Sequence, residues 1–201
     1  MIRVLFAGSD THWADFDAPL RSALKNADLE FDLSREAPPT LVDYIVYAPN
    51  GTFDDFTPYT EAKAVLSLWA GVEKVVSNPT LTQPLTRMVD EGLTDGMVEW
   101  VTGQVLRHHL DLDRHILGQT GAWDYAVPPL AKDRTVTILG LGALGEACAN
   151  ALVSLNFNVV GWSRTKRDVE GVSCFAGDED LPQALTQAEI LILLLPETDA
   201  T

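Results

Sequence analysis

Residues 135–167 read TVTILGLGALGEACANALVSLNFNVVGWSRTKR, and the fold turns on how this stretch divides. TVTILG (135–140) is an apolar run of strand length, rich in β-branched residues. It ends on Gly140-Leu141-Gly142-Ala143-Leu144-Gly145, a G-x-G-x-x-G. LGEACANALVSLN (144–156) has helical spacing and stops at Asn156, and FNVVGWS (157–163) is a second strand. A bare glycine pattern is weak. Its setting gives it meaning: a strand before, a helix after, all within a βαβ unit of roughly thirty residues. There Gly140 allows the tight turn, Gly142 lets a pyrophosphate approach the backbone, and Gly145 lets helix and strand pack closely. The N–H groups of Ala143 and Leu144 open the helix toward the phosphates, whose charge the helix dipole favours. The alternative is a glycine turn that packs without a ligand; the context favours a dinucleotide.

In such a unit the second strand ends about twenty residues past the turn. An acidic residue there accepts from the ribose 2′-OH of NAD, whereas an Arg accommodates a 2′-phosphate. This chain places Ser163 at the strand end, followed by Arg164, Thr165, Lys166 and Arg167. The cluster stands out because the chain carries 14 Lys+Arg against 29 Asp+Glu, a net charge of -15. A guanidinium grips phosphate bidentately, and hydroxyls donate to the same oxygens. Ser163, Arg164, Thr165 and Lys166 therefore read as an NADPH selectivity loop, with Arg164 foremost and Arg167 as solvated charge.

Outward from this unit, VSCFAG (172–177) is extended, DLPQALTQA (180–188) is a helix with Pro182 in its first turn, and EILILLLP (189–196) is a strand. Toward the N-terminus, IRVLFAG (2–8), FDL (31–33) and DYIVYAP (43–49) read as strands, the last stopped by Pro49, Asn50 and Gly51. HWADFDAPLRSALKNA (12–27) has helical spacing; AKAVLSLWAGVEKVV (62–76) begins as a strand and turns at Ala70–Gly71 into a short helix; LTQPLTRM (81–88) is weakly strand-like. One long helix is expected over 93–119, with Met97, Trp100, Val101, Val105, Leu112 and Ile116 on one stripe, followed by a proline-containing linker, GAWDYAVPPLAKDR (121–134). Alternating strands and helices indicate α/β layers with parallel sheets.

The acidic balance argues against a nucleic-acid or anionic-membrane surface, since both repel it. Cys148 and Cys174 follow no metal or redox spacing and read as reduced thiols of a cytoplasmic protein. Asp10, Asp54 and Asp55 show no metal spacing, so no metal is expected. His108, His109 and His115 lack a placed carboxylate partner and are assigned to surface or interface roles.

The chain resembles the D-isomer-specific 2-hydroxyacid dehydrogenases, in particular their glyoxylate/hydroxypyruvate reductase A branch. The internal G-x-G-x-x-G, SLWAGVEKV (67–75), DGMVEWVTGQVL (95–106), LAKDRTVTILGLGALG, WSRTKR and LLLPETDAT carry the resemblance. It implies a flavodoxin-like substrate domain (1–98) followed by a Rossmann dinucleotide-binding domain (99–201) that is incomplete in this chain. It implies hydride transfer from NADPH, preferred over NADH, to a small 2-oxo acid such as glyoxylate or hydroxypyruvate. It implies a substrate loop at Trp69, Ala70, Gly71 and Val72 whose backbone amides take the carboxylate, Trp69 standing where the family has a smaller residue. Leu195, Pro196 and Thr198 lie against the cofactor in this reading. The family's catalytic Arg, Glu and His are expected beyond Thr201, and the helix over 93–119 at a homodimer interface. Two other readings stand beside it: a non-catalytic dinucleotide sensor on the same scaffold, and a 3-hydroxyacid dehydrogenase, against which the internal position of the glycine motif argues.

Overall fold

A computed structural model describes residues 1–49, 52–123, 125–198 and 201. Asn50 and Gly51 of the expected stop after the third strand, Asp124 of the linker, and Asp199 and Ala200 of the last motif lie outside them. The chain divides into two units, Met1–Val89 together with the segment from Pro196, and Asp90–Leu195 with Thr201; the expected division at 98/99 falls eight residues into a helix that opens at Glu91.

The first unit is built on β1 (Ile2–Ala7), α1 (Asp10–Asn26), β2 (Phe31–Ser34), β3 (Tyr44–Tyr47), β4 (Ala64–Ser67), α2 (Glu73–Val76) and β5 (Leu85–Thr86). Its strands are all parallel, in the order β2-β1-β3-β4-β5. That is the flavodoxin-like order. Val4, Leu5, Phe6 and Ala7 are all buried, as a central parallel strand covered on both faces requires. On one face Trp13, Phe16, Leu20 and Leu24 of α1 pack on Val4, Phe6, Leu33 and Val46. On the other, Leu5, Ala7, Ile45 and Val65 meet Phe56 and Val75. Helix α1 starts two residues before its expected position because Ser9 caps it, Oγ accepting from the His12 amide at 3.2 Å.

The second unit comprises α3 (Glu91–His109), α4 (Leu112–Leu117), β6 (Thr135–Leu139), α5 (Ala143–Ser154), β7 (Asn158–Ser163), β8 (Val172–Ala176), α6 (Gly177–Thr186) and β9 (Ile190–Leu193). Its four strands are parallel in the order β8-β7-β6-β9, which matches 3-2-1-4 of the Rossmann sheet. Strand β9 forms one edge among the described residues, with Leu191 and Leu193 exposed. Val136, Ile138, Leu141, Leu152 and Val159 pack with Val101 and Val105 of α3. Cys148 is fully buried there, its Sγ 3.9 Å from the Met97 carbonyl oxygen.

The helix expected over 93–119 is two helices. Asp111 adopts the left-handed conformation (φ 51°, ψ 43°), and the amides of Leu110 and Asp111 turn back to the carbonyls of Leu106 and His108 at 2.9 and 3.3 Å, as at many helix C-termini. Arg107 and Asp113 pair across the break at 2.7 Å. The expected stripe divides accordingly. Val101 and Val105 enter the core, while Trp100 and Ile116 stay exposed. Helix α6 starts at Gly177 rather than 180, so Pro182 lies in its second turn.

Candidate dinucleotide site and substrate loop

Gly140 follows β6 with φ +107°, a region that favours glycine. Its amide donates to the Trp162 carbonyl at 2.8 Å, extending the ladder between β6 and β7. A Cβ here would lie 2.6 Å from the Leu194 carbonyl oxygen, and Leu194 itself donates to the Leu139 carbonyl at 2.9 Å. The turn is thus wedged at the carboxyl ends of β6, β7 and β9. Between β6 and β9 the strand order reverses, and ligands of open α/β sheets bind in the crevice outside that point.

Two further glycines set the shape of the cradle. A Cβ on Gly145 would run into the Gly140 carbonyl, so α5 approaches the turn only with glycine there. Gly142 is the N-cap of α5; no side chain caps that helix, and a Cβ at Gly142 would meet nothing within 4 Å. The amides of Ala143 and Leu144 therefore begin a helix whose mouth is open. An open, uncapped N-terminus beside an unfilled glycine suits a pyrophosphate. Leu195 borders the turn and packs on the cluster of Leu139, Val160, Trp162 and Ala184. Pro196 and Thr198 follow as exposed residues.

The end of β7 lies on the same carboxyl edge of this sheet. Ser163 Oγ donates to the Thr165 carbonyl at 2.8 Å, which curls the chain back just past the strand. Arg164, Thr165, Lys166 and Arg167 are exposed, and Val169 returns to the core. No carboxylate comes before Asp168. In the sequence Trp162 reads as part of the strand and of the WSRTKR motif, with no role of its own. It is 4% exposed, and its indole Nε1 donates to the Gly177 carbonyl at 2.8 Å.

The residues Trp69 to Val72 connect β4 to α2 in the first unit. Ser67 Oγ accepts from the Trp69 amide at 3.2 Å and donates to the Trp69 carbonyl at 3.3 Å, which shapes the turn. The Trp69 ring packs against His12 and Phe16, centroids 5.1 and 6.2 Å away. Ala70, Gly71 and Val72 have amides without an acceptor among the described residues. Successive amides without an acceptor are free to donate to an anion. Val72 is the N-cap of α2 and leans on the core cluster of Leu5, Ile45 and Val75.

His109, assigned above to the surface or an interface, is only 5% exposed. Burial, and then the Arg134 guanidinium, hold its pKa below the ordinary value. Burial also pushes the Cys148 thiol up. Among the described residues no group of His, Cys, Asp and Glu is placed to hold a metal, and no helix is long and apolar enough to cross a membrane.

The family model for the NAD-binding domain of D-isomer-specific 2-hydroxyacid dehydrogenases matches residues 101–201. Glyoxylate/hydroxypyruvate reductase A of Yersinia enterocolitica is 37% identical over 149 residues, which are 70% of this chain and 48% of that protein. A D-isomer-specific 2-hydroxyacid dehydrogenase of Xanthobacter autotrophicus, solved with NADPH and MES, superposes with a TM-score of 0.87 at 34% identity, covering 100% of this chain and 65% of that one. The NADPH-dependent glyoxylate/hydroxypyruvate reductase of Sinorhizobium meliloti, solved with NADP and sulfate, gives 0.76 at 32% identity, covering 100% and 63%. The chain spans about half the length of the curated relative and under two thirds of the two solved ones. With the glycine turn at the switch point and the family match running through it, this chain belongs to the D-isomer-specific 2-hydroxyacid dehydrogenases.

Proposed function

We propose that the protein reduces a small 2-oxo acid, glyoxylate or hydroxypyruvate, with NADPH. The observation that carries the reading is the cationic tip of β7. Ser163 ends the strand, Arg164 and Lys166 stand exposed beside it, and a carboxylate is missing where NAD-selective sites keep one. NADPH, when bound, supplies the hydride. The residues of this chain bind and orient. The amides of Ala143, Leu144 and Gly145 receive the pyrophosphate, with Gly140 and Gly142 giving it room. Ser163, Arg164, Thr165 and Lys166 receive the 2′-phosphate, and Leu195, Pro196 and Thr198 border the cofactor. The amides of Ala70, Gly71 and Val72 hold the carboxylate of the oxo acid, while Trp69 fixes their loop by packing on α1. The proton donor is the family's His, paired with its Glu, and the family's Arg holds the oxo acid; none of the residues described above replaces them.

The same proposal includes a homodimer through the α3–α4 segment, supported by the exposure of Trp100, Ile116 and Leu117 at 62%, 63% and 80%. The reaction is tested by following NADPH and NADH oxidation by the intact gene product with glyoxylate and hydroxypyruvate, beside Arg164→Ala. The expected result is a preference for NADPH, with KM for NADPH raised about tenfold or more by Arg164→Ala, the size of a lost charge-assisted contact. Binding of NADPH without turnover would instead point to a sensor on the same scaffold. A preference for NADH would overturn the cofactor assignment.

A further inference from the structure

Trp162 joins the glycine turn to the start of α6 from within the core. Its backbone carbonyl accepts from the Gly140 amide at 2.8 Å, at the start of the glycine cradle. Its indole Nε1 donates at 2.8 Å to the carbonyl of Gly177, which opens α6 with φ +75°. The ring is 4% exposed and packs with Leu139, Val160 and Ala184, beside Phe175, Leu181 and Leu195. The next residue along the chain is Ser163, and the one after it Arg164.

An indole N–H in a core needs a partner, and this one finds it fifteen residues along the chain, on a different strand-to-helix turn. The bond ties the tip of β7 to the beginning of α6. Only two buried anchors, Trp162 and Val169, bracket the exposed run Arg164–Asp168. Val169 is held by packing and a backbone turn to Val172 at 3.1 Å. Trp162 alone of the two has a side-chain hydrogen bond, which adds to the backbone pairing of Ser163 with Ala176 at the end of β7.

We propose that Trp162 is a positioning residue for cofactor discrimination: its indole-to-Gly177 bond sets the direction in which Ser163 and Arg164 leave β7, and so aims them at a 2′-phosphate. This rests on the reading of Arg164 as the 2′-phosphate ligand. The backbone bond to Gly140 does not depend on the side chain, so a change in the ring leaves that tie of the glycine turn in place. Loss of the indole N–H therefore weakens NADPH and spares NADH.

The experiment is calorimetric titration of the intact gene product with NADPH and with NADH, for the parent, Trp162→Phe, Gly177→Ala and Arg164→Ala, with a thermal melt of each. Trp162→Phe keeps an apolar ring but has no N–H. Gly177→Ala disturbs the acceptor from the other side, because its φ of +75° resists a side chain although nothing lies within 4 Å of the new Cβ. It decides the matter if Trp162→Phe does not fold. The expected result is a rise of about tenfold in Kd for NADPH in both variants, with Kd for NADH unchanged, one tenfold step corresponding to a single misplaced charge-assisted contact. Equal weakening of both dinucleotides, or no change in either, overturns the role of Trp162 while a selective loss in Arg164→Ala keeps the underlying reading. A parent chain that does not prefer NADPH, with Arg164→Ala equally indifferent, overturns both.

Discussion

The imidazole of His109 meets the ring of Phe157 edge-on, centroids 4.9 Å apart and planes at 77°. Its Nδ1 is buried and has no hydrogen-bond partner among the described residues. Protonation would place an unpaired charge where α3 joins the core. Burial, and next the Arg134 guanidinium, lower its folded pKa from 6.5, so the folded state binds its proton less readily than the unfolded chain. Stability from this residue is therefore complete above the unfolded value of 6.5 and is lost as pH falls below it toward the lower folded value. His109→Leu removes that dependence. Melting curves of the two proteins across this range are expected to diverge, the parent losing more Tm on acidification. Parallel slopes would refute the assignment.

The glycines of the cradle should separate stability from binding. Gly145→Ala drives a Cβ into the Gly140 carbonyl and is expected to cost about 1–3 kcal/mol, the usual range for overpacking. Gly142→Ala meets open space at an ordinary φ of -75° and is expected to stay within about 0.5 kcal/mol of the parent. On the function proposed above it should nevertheless weaken binding of both dinucleotides, the methyl filling the space proposed for the pyrophosphate. Urea melts combined with dinucleotide titration give both numbers.

Asp111 bears a left-handed backbone at φ 51° without capping α4 through its side chain. Asp111→Gly removes the conformational cost and loses no hydrogen bond of that carboxylate, so a gain of up to about 1 kcal/mol is expected. Chemical denaturation would show it as a higher midpoint at unchanged slope.

Charge placed on the exposed face of α3 and α4 tests the assembly. Trp100→Glu combined with Ile116→Glu exchanges two exposed apolar side chains and should leave the fold intact, since neither belongs to the core. Light scattering is expected to find a dimer for the parent gene product and a monomer for the variant. An unchanged mass would place the interface elsewhere.

The β6–α5–β7 unit was legible because every local signal agreed: β-branched run, glycine turn, amphipathic helix, second strand. The first unit's strands followed for the same reason, and β4 with α2 appeared on either side of Ala70–Gly71 as expected. The break at Asp111 was hidden, since Leu112 and Ile116 continue the apolar spacing of Val101 and Val105 and an Asp in the left-handed conformation leaves no pattern. Ser9 could have been recognised as an N-cap from its position ahead of a helical run. His109 was misplaced because Arg107, His108 and Asp111 around it are polar, while its neighbour in space, Phe157, lies 48 residues on, across α5. The Trp162–Gly177 bond was out of reach of sequence reasoning, because its acceptor is a backbone carbonyl that any residue could supply.

Cys148 gives the second unit a clock. Its thiol lies wholly inside, between α5 and the Met97 carbonyl of α3, with its ionisation suppressed by burial. A thiol reagent in native buffer can reach it only when α5 swings away from α3, so the labelling rate counts those excursions. Cys174, half-buried on β8, is the internal reference in the same chain. Dinucleotide bound at the start of α5 would slow the first thiol's reaction and leave the second at its own pace, reporting occupancy of the cradle without turnover or any added probe.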